Sequence, residues 1–200
     1  DALGGEMGRV TDRTFIQIRM LNSSKGPAVQ ALRAQADKRL YSLAMKHVLE
    51  STPNLDLKQG QAEGLLVEGD RVAGVRLDRG ECLGASAVVL TTGTFLNGRI
   101  MSGEYSIPAG CAGEAPAVGL ARSLRDLGFT TGRLQTNTPP RIDARSIDYR
   151  LTTAQHGSSE PLYFSFAGAP IDPLILPINP VYPIAKQTAW RQQMPCYLVH

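Results

Sequence analysis

The 200-residue sequence predicts an α/β fold, and three observations predict it. The segment RAQADKRLYSLAMKHVLES sets Ala36, Leu40, Leu43, Ala44, His47 and Val48 on one face at helical spacing, with Pro53 ending the run. Residues 61–86 break into short β-prone stretches at Gly69-Asp70 and at Asp78-Arg79-Gly80, the turn chemistry of hairpins. AVVLTTG at 87–93 is a continuous apolar run, the pattern of a parallel strand covered on both faces.

Taken in chain order, the first helix is followed by a strand through Leu55 and Leu57, which alternate with polar residues. A small antiparallel meander comes next, in which Val72 and Val75 alternate more loosely, and then the buried strand 87–93. Residues 97–116 are rich in Gly and Pro. AVGLARSLRDLGF then reads as a second helix, with Val118, Leu120, Ala121, Leu124 and Leu127 on its apolar face and Gly128 as its stop. RLQTNTPPRID begins like a strand and passes into a Pro-Pro turn. Beyond Tyr149 the charges nearly vanish: residues 151–200 hold only Glu160, Asp172, Lys186 and Arg191, against seven of the thirteen prolines. That shift predicts a domain over 1–148 and the start of an insertion over 149–200.

Composition narrows the class. With 42% hydrophobic and 20% charged residues the chain is globular, and no apolar run approaches the roughly 18 residues of a membrane helix. A net charge of +3 is too small to name a nucleic-acid partner unless the cations cluster, and residues 1–50 hold eight basic against five acidic groups. Cys82, Cys111 and Cys196 form no metal-type spacing and cannot all pair, which points to a reducing compartment. The sequence opens at Asp1 with no Met and stops at MPCYLVH, so a piece of a longer protein is expected.

Two segments carry chemistry. A helix, a strand, a hairpin and then a hydrophobic strand ending in Thr-x-Gly is the order at the far end of the FAD-binding domain in flavoproteins with two dinucleotide-binding domains. There a parallel strand delivers its C-terminal end to the ligand crevice, Gly93 lets backbone approach a nucleotide, and Thr92 and Thr94 add hydroxyl donors. A plain strand closing in a Gly turn accounts for VVLTTG about equally well. The second segment, LNSSKGPAVQALRAQAD, leads Asn22, Ser23, Ser24, Lys25 and Gly26 into an expected helix start, whose N–H groups and dipole suit an anion, with Lys25 and Arg33 adding charge. On spacing alone a capped loop is the stronger reading. His47 is expected in the core of its helix, and none of His47, His156 or His200 is assigned a catalytic role.

LNSSKGPAVQALRAQADKRLY, VVLTTGTFLNGRI and RLQTNTPPRIDARSIDY, together with GGEMGRVTD, FSFAG and PCYLVH, closely resemble the FAD-dependent tRNA uridine 5-carboxymethylaminomethyl modification enzymes, the MnmG or GidA family. The resemblance runs from Asp1 to about Phe166 and returns at Pro195. It implies a two-dinucleotide-binding, Rossmann-like FAD domain whose GxGxxG turn lies before Asp1. It also implies FAD as cofactor with NADH as its reductant, a folate one-carbon donor, and tRNA as substrate, the product being modified at C5 of the wobble uridine. The implied partners are a GTPase, MnmE, and a second copy in a homodimer; the implied location is the cytoplasm, or the mitochondrion in a eukaryote. Carried over by position, family FAD contacts fall at Ala62, where Val is common, and at Ala117, where Ser is usual. The chain departs further at Cys111 for Arg, Glu114 for Asp and Asn137 for Gly, and Asn tolerates positive φ.

Two other readings compete. A general FAD and NAD(P)H oxidoreductase of small molecules explains the hairpin and VVLTTG but not the KGPAV and TPPRID blocks. A non-catalytic role for these 200 residues alone, binding a partner or an RNA backbone, follows from the missing phosphate-binding turn.

Overall fold

The computed structural model describes residues 2–140, 142–166 and 193–199. They form two compact units, Asp1–Leu57 with Pro140–His200, and Lys58–Pro139. The class is mixed α/β with small antiparallel sheets.

The first unit opens with α1 (Met7–Thr14), which passes directly into β1 (Phe15–Leu21). A hairpin turns β1 back into β2 (Ala31–Ala36), antiparallel, with Arg19 opposite Arg33 and Leu21 opposite Ala31. Asp37 then caps α2 (Lys38–Glu50), its carboxylate accepting from the N–H groups of Arg39 and Leu40 at 2.9 Å each. Such a cap satisfies donors that a helix start leaves open. Val10, Ile18, Leu40 and Ala44 make the core, and α1 packs on α2. Two later strands complete the unit: β8 (Thr152–Gln155) pairs antiparallel with β9 (Cys196–Val199). Gln17, fully buried, holds this pair to β1. Its Nε2 donates to Gln155 O and Met194 O, both at 2.9 Å, and its Oε1 accepts from Cys196 Sγ at 3.1 Å. Asp12 fastens a further return, accepting from the N–H groups of Phe164 and Ser165.

The second unit is the expected meander with a helix across it. β3 (Ala62–Glu68), β4 (Arg71–Leu77) and β5 (Cys82–Gly84) are consecutive antiparallel strands, turning at Gly69 (φ +63°) and Gly80 (φ +88°). α3 (Val118–Asp126) packs on β3, burying Leu120, Ala121 and Leu124, and Ser123 Oγ accepts from Leu65 N–H at 3.1 Å. Gly128, at φ +89°, ends the helix as expected. A second hairpin, β6 (Arg99–Ser102) with β7 (Tyr105–Pro108), lies within the Gly- and Pro-rich stretch.

Several expectations are corrected. RAQAD is not a helix start: residues 31–36 are strand β2, because alternation along LRAQA places successive side chains on opposite faces beside β1, and the helix waits for the Asp37 cap. Leu55 and Leu57 lie outside any strand and are exposed. Residues 87–93 form no strand either, with Val89 85% exposed; a parallel strand needs a crossover neighbour, and no described strand lies beside it. The stretch 131–140 is likewise irregular. His47 and Leu43 are exposed, since α2 buries only a narrow stripe centred on Leu40 and Ala44. Asn137 does not take positive φ; Asn22, Asn54 and Asn97 do. Most of the proline-rich stretch, and His200, fall outside the described residues. No described helix is long and apolar enough to cross a membrane.

Candidate functional site

Of the six expected cofactor residues, five lie in the second unit, and four of these, Thr92, Gly93, Thr94 and Ala117, come together. Thr92 O accepts from Phe95 N–H at 2.9 Å, closing a tight turn in which Gly93 takes φ +52°. Apart from Gly93 and its two chain neighbours, no atom of the described residues lies within 4 Å of the place a Cβ would occupy on Gly93, so this turn presents backbone to open space. The turn is pinned to the start of α3. Ala117 N–H donates to Phe95 O at 2.8 Å, and Asn97 N–H donates to Ala117 O at 3.0 Å. Residues 92–97 and the N-cap of α3 are therefore one piece of backbone. Ala62 stands at the first position of β3, the strand on which α3 packs.

The side chains do different work from that expected. Thr94 does not offer its hydroxyl outward: Oγ1 donates to Gly110 O at 2.5 Å and locks the loop to the following segment. The Thr92 hydroxyl has no partner among the described residues. Ala117 gives α3 no side-chain cap. The Glu63 carboxylate lies so close to the first turn of α3 that a Cβ on Gly119 would fall on its Oε2. A carboxylate beside a helix N-terminus satisfies the dipole there. A second anion at that helix end is consequently disfavoured.

Sequence reasoning missed the residues that shape this loop. Gly98 and Gly110 are buried, and a Cβ on either would strike, respectively, Thr94 O with Ala109 O, and the Phe95 ring. Their signal was present as two glycines flanking an aromatic residue and a hairpin, TFLNG and PAG, in a stretch read only as loop. Beside the loop, Leu65, Val72, Val88, Leu90, Leu124 and Phe129 line an apolar groove of 410 Å³. Val88 and Leu90 of the expected strand thus face apolar neighbours without being in a ladder.

Asn22, Ser24, Lys25 and Gly26 belong to the first unit and form the tip of the β1–β2 hairpin, where Gly26 leads into a single 3-10 turn (Pro27–Val29) and not into the expected α-helix. Asn22 takes φ +56°, and its Nδ2 donates to Val29 O at 2.9 Å; Lys25 N–H donates to Asn22 O at 2.9 Å. The tip is thereby an ordered turn whose exposed Lys25 ammonium has no partner among the described residues. Arg33 sits on β2, with its Nε buried and without a hydrogen bond among the described residues. Its place as a cofactor residue had rested on the helix start that β2 replaces, so only its charge remains as an argument.

Two exposed Asp-x-Arg pairs complete the polar inventory. Asp143 and Asp148 each grip the arginine two residues on, at 2.7 Å, and each accepts that residue's N–H. The arginines hold both carboxyls below the usual range, and the carboxylates raise Arg145 and Arg150.

Comparison with known proteins gives this geometry a setting. The family model of glucose inhibited division protein A, GidA, matches residues 1–179. A Roseiflexus sp. (strain RS-1) protein named tRNA uridine 5-carboxymethylaminomethyl modification enzyme MnmG is 52% identical over all of this chain and 33% of its own length. A protein of the same name from Geobacter sulfurreducens is 48% identical over all of this chain and 29% of its own length. The chain spans about a third of the curated relatives it matches. Among solved structures, Aquifex aeolicus GidA superposes with a TM-score of 0.76 at 46% identity, over 83% of this chain and 28% of that one. A family-model match across most of the chain and a shared fold at such identity lead to one conclusion: the chain belongs to the GidA family.

Proposed function

We propose that this chain is part of an enzyme that uses FAD to modify C5 of the wobble uridine in tRNA. The observation carrying this reading is 52% identity, over the whole chain, to a protein named for that modification. In the proposal FAD supplies hydride to the reaction after reduction by NADH, and a folate supplies the one-carbon unit. The residues of this chain hold and orient the cofactor. Gly93 and the Thr92 hydroxyl present backbone and a free donor, Thr94 fixes the loop from behind, and Ala62 with Ala117 border the neutral part of the nucleotide. A contact through backbone at Ala62 tolerates Ala in place of Val, because the N–H and C=O do not depend on the side chain.

The remaining parts of the proposal concern the whole protein: a domain boundary near residue 148, a homodimer, the GTPase MnmE as partner, and a cytoplasmic or, in a eukaryote, mitochondrial location. The test is the purified full-length protein. It should carry stoichiometric flavin and, with MnmE, NADH, a methylene-bearing folate and an amine donor, convert uridine in unmodified tRNA. Flavin reduction by NADH with no tRNA binding and no product would favour a small-molecule oxidoreductase instead.

A further inference from the structure

The hairpin from Phe15 to Ala36 contains Arg19, Lys25 and Arg33 and no Asp or Glu, a local charge of +3 equal to the net charge of the entire chain. Its two arginines are directly opposite each other, Arg19 on β1 and Arg33 on β2. Directly opposed residues of an antiparallel pair share a face of the sheet, with Cβ atoms roughly 5 Å apart, and like charges there repel. Among the described residues neither arginine has an ion pair or a side-chain hydrogen bond, and the Nε of Arg33, like that of Arg13 on α1, is buried without a partner there. Buried polar groups are nearly always satisfied, so an orphan of this kind calls for an unseen acceptor. Lys25 extends the charge to the exposed tip, again without a partner among the described residues.

The ion pairs that do form lie elsewhere. Asp143 and Asp148 neutralise Arg145 and Arg150, Glu6 pairs with Arg9, and Glu50 with Lys46. Other cations of the chain are unpaired as well; what sets these three apart is their placement on one hairpin that holds no carboxylate, with two of them directly opposed, an arrangement suited to an anion. Two guanidinium forks on one face match a tetrahedral phosphate, which accepts from both. The charges continue along the hairpin to its tip, an arrangement suited to successive phosphates of a strand more than to one compact anion.

We infer that Arg19 and Arg33, extended by Lys25, form a binding site for the phosphate groups of an RNA strand. This rests on the tRNA-modifying reading above and names the surface that holds the substrate's backbone. The contacts position the strand and carry no sequence information.

The test measures binding of labelled tRNA by the full-length protein across a series of salt concentrations, for the wild type and for Arg19→Gln, Arg33→Gln and Lys25→Gln. Each substitution should weaken binding by about threefold to tenfold near 0.1 M salt and lower the salt slope by about one, equally for cognate and non-cognate tRNA. Lys25→Gln lies at an exposed tip and keeps the test valid if an arginine variant fails to fold; Arg33→Lys, which keeps the charge, should recover most of the slope. Unchanged slopes in all variants overturn the inference. Loss of flavin from Arg19→Gln with tRNA slope unchanged also overturns it, by assigning the pair to the cofactor's phosphates. Wild-type protein that fails to bind tRNA at all would sink the functional reading itself.

Discussion

Gly74 shows how far one residue can be fixed by its neighbours. It takes φ +154° in the middle of β4, and a Cβ would collide with the carbonyl of Leu83 on β5. Gly74→Ala should therefore cost about 2 kcal/mol, read as a lower denaturation midpoint at unchanged slope. At the start of α3 the opposite change is available. Ala117 is a poor N-cap, and Ala117→Ser should add about 1 kcal/mol while tightening flavin retention, measured by FAD release on dilution. Asp143 and Asp148 titrate in a stated direction. Their folded pKa values lie below the unfolded ones, so any stability they contribute is present above the unfolded value near 3.8 and is lost as pH falls through the lower, folded value. Both are fully exposed, so the effect is seen in their NMR titration curves, shifted to acid, and not in the thermal midpoint at neutral pH.

At the scale of elements, β8 and β9 depend on Gln17. Replacing it by Ala leaves the carbonyls of Gln155 and Met194 without their donor and should cost about 3 kcal/mol. Hydrogen exchange should rise first at 193–199, before the β3–β4 hairpin responds. The elements that sequence made legible are those with complete local instructions: the β3–β4–β5 meander with its Gly turns, and α3 with Gly128 as its stop. Elements that depend on distant partners were not. LRAQA reads as helix until β1 is placed beside it, and GRVTDRT carries no cap that marks α1. AVVLTTG fails in the other direction: its apolar run specifies a central strand, yet a strand forms only where neighbours supply the ladder. The site followed the same division. The turn at Gly93 was readable from Thr-Thr-Gly, whereas the inward bond of Thr94 and the packing of Gly98, Gly110 and Glu63 depend on contacts between segments.

For the whole molecule, these residues supply a loop, a helix start and a charged hairpin, and the chain spans about a third of the related proteins. On the proposed function catalysis belongs to the full-length protein, and the proposed tasks of this portion are to border the flavin and to hold RNA phosphates. The most direct test is mass spectrometry of wobble uridine in tRNA from a strain lacking the gene, with and without the full-length copy restored. The account predicts that the 5-carboxymethylaminomethyl-type modification disappears on deletion and returns on restoration. Wobble uridine that stays unmodified while the restored protein is soluble and loaded with flavin would contradict it.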